Sequence, residues 1–265
     1  MLLSQRSRLV LGVAPDRVEW IRWGGVVRPF VMASGVKLRD EAAEMAAHDW
    51  MFSSVREILD EMGVASLDVS VVLSSKVVKY YLLPDNPALK RQSEWLSLAR
   101  LHFERVYGMG VSEWQIAISR GRGGDYVASA VEVSLVAALR NLFGDGRRLI
   151  SIQPILMACV NQNRGKLTKG KHWMVIAEDG MYTYALIEDG RWRHIQSRRA
   201  SDCLQLLQWI VRDAYQVSAG AGVREVILFG GDCPQMEGGA FNIQSVPCGV
   251  EVEAGQFEIA GYGGR

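Results

Sequence analysis

Two Asp-Gly turns close together constrain this chain more than any other stretch. From residue 173 to residue 192 it reads WMVIAEDGMYTYALIEDGRW. Asp-Gly accepts the positive backbone torsions of a tight hairpin, and the runs on either side are β-branched and aromatic. Strands at 173–177 and 181–187 therefore flank Glu178-Asp179-Gly180, and a third strand over 191–196 follows Glu188-Asp189-Gly190. The first turn, with two carboxylates and a glycine, could hold Mg²⁺ and phosphate. The same residues also make an ordinary hairpin.

The rest of the chain repeats this plan. Strands at 8–13 and 18–23 join through Ala14-Pro15-Asp16-Arg17, and a third strand at 26–32 continues the meander. A helix over 40–62 carries Met51, Val55, Ile58, Leu59 and Met62 on one stripe and stops at Gly63. A strand at 66–73 is expected to neighbour one at 77–83. A helix over 88–107 then places Trp95, Ala99, Phe103 and Val106 on one face. Strands at 114–119 and 126–132 flank the glycine-rich Arg120–Asp125 stretch, which reads as an anion cradle or, better, as a flexible hairpin tip. It precedes a strand and so lacks the helix N-terminus that phosphate loops use. A helix (133–143), a short strand (149–152) and a helix (155–162) lead into the second meander. A helix over 201–217, with Leu204, Leu207, Val211 and Ala214 in line and Ser201 as cap, precedes a strand at 224–229 that runs into Gly230-Gly231-Asp232. A meander followed by helices, made twice, predicts two similar lobes around a cleft.

Composition narrows the function classes. With 265 residues, 30 Lys plus Arg against 29 Asp plus Glu and a net charge of +1, no field of one sign is available to attract nucleic acid or an acidic membrane. No uncharged apolar run reaches the roughly 18 residues of a spanning helix. No signal-peptide core precedes Pro15, so a cytoplasmic chain is expected. Cys159, Cys203, Cys233 and Cys248 show no C-x-x-C spacing and are expected as reduced, buried thiols. The histidines (His48, His102, His172, His194) lack metal-ligand spacing, and no G-x-S-x-G elbow is present.

Three stretches carry a resemblance: VVLSSKVVKYYLLP (71–84), the helix region 95–107, and YVASAVEVSLVAALRNLFGDGRRLISIQPILMACVNQ (126–162). The duplicated plan that holds them, with its acidic turn and its late apolar strand ending in Gly-Gly, resembles the actin-like ATPase superfamily. Within it, they look most like the PilM family of type IV pilus assembly proteins and the related cytoplasmic domain of the type II secretion protein GspL. The resemblance implies an α/β, actin-like (ribonuclease H-like) fold of two duplicated lobes around a central cleft. The first lobe would be residues 1–163, with an inserted αβ subdomain at about 64–148, and the second 164–265.

The resemblance also implies three nucleotide-binding elements. In the first, Ala14 and Asp16 stand where the family carries its acid and glycine, Pro15 removes an amide, and Asp16 adds charge where phosphate would lie. In the second, Glu178-Asp179-Gly180 keeps the acidic turn but Met181 and Tyr182 replace small residues. The third, VILFGGD (226–232), is well matched, so Gly230, Gly231 and Asp232 complete the candidate nucleotide set. Each charge-assisted hydrogen bond to phosphate contributes about 1.5–3 kcal/mol. Losing three or four takes a micromolar site beyond millimolar.

The expectation is therefore a pseudo-ATPase scaffold with no cofactor, peripheral to the inner membrane. Its partner would be the N-terminal cytoplasmic segment of a PilN-like single-span membrane protein, with Val78, Tyr80, Trp95 and Phe103 as candidate contacts and a homodimer left open. The competing reading is a divergent actin-fold ATPase or small-molecule kinase, with Asp16, Glu178, Asp179 and Asp232 organising Mg-ATP.

Overall fold

The computed structural model describes residues 7–25, 30–40, 42, 44–63, 66–83, 85–108, 110–121, 124–144, 146–200, 202–217, 225–230 and 241–246. Three sheets organise these residues. In the first, β1 (Ser7–Val13), β2 (Arg17–Gly24) and β3 (Phe30–Leu38) form an antiparallel meander. Parallel pairing then adds β4 (Leu67–Leu73) beside β1 and β8 (Arg147–Pro154) beside β4, giving the order β3-β2-β1-β4-β8. The second sheet repeats this arrangement with β9 (Lys171–Glu178), β10 (Met181–Glu188), β11 (Arg191–Arg198), β12 (Glu225–Phe229) and β13 (Asn242–Val246), in the order β11-β10-β9-β12-β13. The duplication expected from the sequence is present strand for strand and direction for direction.

Between β4 and β8 the chain builds a third sheet, β5-β7-β6, from β5 (Lys79–Leu83), β6 (Trp114–Arg120) and β7 (Tyr126–Glu132). The expected pairing of the 66–73 and 77–83 strands is therefore corrected: β5 pairs with β7. Both edges of β4 are taken by β1 and β8, so the chain must leave the sheet after Leu73.

Each helix covers a face that its sequence makes apolar. Helix α1 (Ala47–Glu61) packs on the first sheet with α3 (Val133–Asn141), enclosing Leu11, Val71, Ile58 and Leu139. It starts later than expected because Asp40 Oδ1 accepts the Ala42 N–H, which turns the chain there rather than capping a helix. The third strand likewise runs beyond the expected end at 32, to Leu38, while 26–29 lie outside the described residues. It runs through Ser34-Gly35, where Gly35 is required: a Cβ there would lie 2.2 Å from a Trp20 ring carbon.

Helix α2 (Gln92–Tyr107) lays Trp95, Ala99 and Phe103 on the third sheet, while Val106, expected on that face, is 54% exposed. Glu94 Oε2 accepts the Lys90 and Arg91 N–H groups and fixes its first turn. Helices α4 (Ile155–Gln162) and α5 (Arg164–Leu167) help join the halves, in a core of Leu156, Cys159, Leu167, Met174, Ile176 and Phe229 that also takes Val127 from β7.

Helix α6 (Cys203–Val217) covers the outer face of the second sheet with Cys203, Leu206, Leu207, Ile210 and Asp213. Of the stripe expected to face inward, Leu207 is buried and Ala214 half-buried. Leu204 and Val211 point outward, because the helix is apolar in two frames. Its expected cap, Ser201, lies outside the described residues. Cys159 is a buried free thiol, but Cys203 is disulfide-bonded, which corrects the reduced-thiol expectation there; spacing cannot foresee a pairing made by the fold. No helix among the described residues is long and apolar enough to cross a membrane.

Candidate nucleotide cleft and docking groove

The two meander sheets face each other across a cleft of about 390 Å³. Its first-sheet side is the β1–β2 turn with Ala14, Asp16 and Arg17, together with Ser74 and Lys76 after β4. Its second-sheet side is Glu178, Asp179, Gly180 and Tyr182, with Gly230 after β12. Four of the six candidate nucleotide residues thus converge on one cavity. Gly231 and Asp232 lie outside the described residues.

Several polar groups of this cleft bind one another, while Asp16 Oδ1 is buried without a hydrogen-bond partner among the described residues. The Ala14 N–H donates to the Arg17 carbonyl (2.9 Å) and closes the hairpin, and Pro15 has no N–H to offer. Lys76 Nζ donates to Asp16 Oδ2 at 2.5 Å, and Arg17 pairs with Glu19. The Ser74 N–H donates to the Val13 carbonyl (3.0 Å) and the Lys76 N–H to Ser74 Oγ (3.0 Å). Between them, the Ser75 N–H donates to Glu178 Oε2 (2.9 Å), reaching across from one sheet to the other. The Ser74–Lys76 loop thus holds one carboxylate of the chain through the Ser75 N–H and another through Lys76. Asp16, Glu19, Glu178 and Asp179 outnumber Lys76 and Arg17 in the lining. A triphosphate would meet net negative charge there and, at the first turn, an engaged Ala14 N–H and a proline, so the first-turn residues do not fit one. Gly180 adopts φ 66° and Gly230 φ 68°, the backbone freedom that those turns need.

A second concavity, about 270 Å³, lies between the first and third sheets. Its walls are β8 (Leu149, Ile150, Ser151, Ile152), β6 and β7 (Gln115, Ala117, Ser129, Val131), and α3 (Val136, Arg140). Both β8 and β6 end their sheets in the described order, so each borders the groove as an edge strand. The groove's lining mixes apolar and polar groups, with Ile150 51% exposed and Gln115, Ser129, Ser151 and Arg140 on its walls. Nothing in the sequence marked this place, because its residues, Leu73 of β4 included, come from five elements that only the fold assembles.

The four candidate partner contacts sit elsewhere. Val78 (1% exposed), Trp95 (3%) and Phe103 (4%) are interior, and Tyr80 is half-buried between two cores. Burial pushes the Tyr80 hydroxyl far up, aided by the Glu178 charge and opposed by Ser75.

The glycine-rich tip also has a fixed contact. Asp125 is 7% exposed, and its Oδ2 accepts the Trp192 N–H of β11 at 2.8 Å. Gly121 makes room for this: a Cβ would lie 2.3 Å from Asp125 Oδ2 and 2.9 Å from Trp192 Cδ1.

No family model and no curated protein matches the chain. Solved structures do. The PilM–PilN type IV pilus biogenesis complex aligns with a TM-score of 0.61 at 13% identity, over 84% of this chain and 81% of that one. The cytoplasmic domain of EpsL, an inner membrane component of the type II secretion system of Vibrio cholerae, aligns at 0.58 and 12%, over 92% and 90%. A Bacteroides thetaiotaomicron protein with actin-like ATPase fold and unknown function aligns at 0.60 and 12%, over 85% and 82%. At these identities the likeness is one of fold, and the fold is the actin-like one that the sequence led us to expect.

Proposed function

From an actin-like fold with a self-occupied cleft, we propose a docking scaffold of a type IV pilus or type II secretion-like inner-membrane assembly. In this reading residues 1–163 form the first lobe with its inserted subdomain and 164–265 the second. The chain works on the cytoplasmic face of the inner membrane as a pseudo-ATPase. Glu178, Asp179, Gly180, Gly230, Gly231 and Asp232 are the remnant of a nucleotide site whose first grip is gone.

The observation that carries the reading is the groove between β8 and β6. An extended segment can add to a free strand edge by main-chain hydrogen bonds while its alternate side chains enter a trough of mixed apolar and polar lining. The N-terminal cytoplasmic segment of a PilN-like single-span protein is the occupant we propose. Val78, Tyr80, Trp95 and Phe103 then act from the interior, by fixing the sheet that forms one wall. Titrating the chain with such a peptide, followed by hydrogen exchange, tests this directly. Protection over 114–120 and 147–154 supports the groove; saturable binding without protection there removes it.

One observation favours the ATPase or kinase reading: Glu178, Asp179, Gly180 and Gly230 share a cavity. Micromolar, Mg²⁺-dependent ATP binding with turnover in a calorimeter would make that reading the better one. The scaffold reading expects no heat at millimolar nucleotide.

A further inference from the structure

In nucleotide-closing folds a ligand bridges two lobes and sets the angle between them. Here the bridges among the described residues include two of the chain's own carboxylates, each holding a backbone N–H of the opposite side. Glu178, at the end of β9, accepts the Ser75 N–H across the cleft at 2.9 Å. Asp125, at the tip of the glycine-rich hairpin, accepts the Trp192 N–H at 2.8 Å where the third sheet meets β11. Strand β5 of the third sheet lies against β11, and Val127, Tyr80 and Leu82 pack into the same apolar core as Met174 and Phe229. A broad apolar joint with a polar contact on each side has little freedom to hinge.

We infer that Glu178 and Asp125 are a pair of built-in pins that hold the two halves at a fixed angle, so that the cleft stays closed without nucleotide. Glu178 stands as an internal anion on the Ser74–Lys76 loop. Asp125 gives the end of the glycine-rich stretch a structural task, for which Gly121 must lack a side chain. The inference is independent of whether the groove takes a peptide, since neither pin lines it.

The test is a distance between spin labels at Arg56→Cys on α1 and Gln208→Cys on α6, both exposed. The parent protein should give one narrow distance that millimolar ATP and Mg²⁺ leave unchanged. Glu178→Asp keeps the charge but is one methylene too short to reach Ser75, so its distribution should broaden and lengthen. Glu178→Gln keeps an oxygen acceptor at the right reach and should restore the narrow distance. Adding Asp125→Ala to Glu178→Asp should widen it further. The inference is overturned if Glu178→Asp matches the parent, if Glu178→Gln opens as far as Glu178→Asp, or if ATP shifts the parent's distance. The two Glu178 variants decide the matter by themselves should the Asp125 variant not fold.

Discussion

Asp213 occupies an inward position of α6 that the helix pattern assigns to an apolar residue, and it survives there by being saturated with donors. Its carboxylate accepts the Tyr184 hydroxyl (2.7 Å) and two Arg212 N–H groups (2.9 Å), with His194 Nε2 at 3.3 Å and Arg198 at 3.8 Å. Burial pushes its pKa up, but the Tyr184 and Arg212 hydrogen bonds and the neighbouring positive charge together hold it below the ordinary 3.8. Burial also holds His194 below its ordinary 6.5, against the pull of Asp213.

The signs follow from proton binding. The unfolded chain takes up a proton at His194 that the folded chain refuses, so stability should decline as pH falls below about 6.5. Asp213 contributes above its unfolded value and loses that contribution as pH falls through its lower folded value. Thermal melts from pH 7.5 to 5 should show the first slope, and His194→Gln should flatten it; an unchanged slope would assign it elsewhere. Asp125 offers a second residue-scale check. Gly121→Ala forces a Cβ into Asp125 and Trp192, and overpacking of this kind costs about 1–3 kcal/mol, readable as a lower denaturation midpoint. Apart from the glycine-rich spacing around Gly121, neither cluster was legible in the sequence, because Asp213 and Asp125 look like any surface acid until their partners are known.

Among the elements, α6 shows why a stripe can be read in the wrong frame. Leu204-Val211 and Leu206-Leu207-Ile210 are both apolar runs at helical spacing, and the inner one wins because it meets Trp173, Tyr184 and Val226. Leu207→Ala should therefore cost about 2–5 kcal/mol in a denaturant melt. Leu204→Ala should stay within about 0.5 kcal/mol, as for an exposed position. Equal effects would mean that the outer face is also covered in solution.

The edge strands β8 and β6 carry the docking prediction. Ile150→Lys places a charge in the groove without touching the core. It should weaken peptide binding about tenfold or more, the loss of one well-buried apolar contact, with the melting temperature unchanged. The strands and helices themselves were largely legible. Where a described boundary moved, as at the start of α1, a side chain was involved: Asp40 turns the chain by accepting the Ala42 N–H.

At the scale of the molecule, two sheets of identical order face one another over a cleft whose loops bind each other. Calorimetry with ATP and Mg²⁺ should give no saturable heat in the micromolar range. The sequence alone determined the repeat. Two meanders punctuated by Ala14-Pro15-Asp16-Arg17 and by the Asp-Gly turns need two sheets, and the apolar faces of α1, α2 and α6 need sheets to cover, because local periodicity decides which residues must leave water. It also put Pro15 and Asp16 in the first turn, where a missing amide and an added charge are properties of the residues themselves. Only the tertiary structure decided that Glu178 binds Ser75 and Lys76 binds Asp16, that Asp125 holds Trp192, and that β8 and β6 flank a groove. Those contacts join residues far apart in the chain, and hydrogen-bond reach of about 3 Å is set by how sheets stack, which no local pattern encodes.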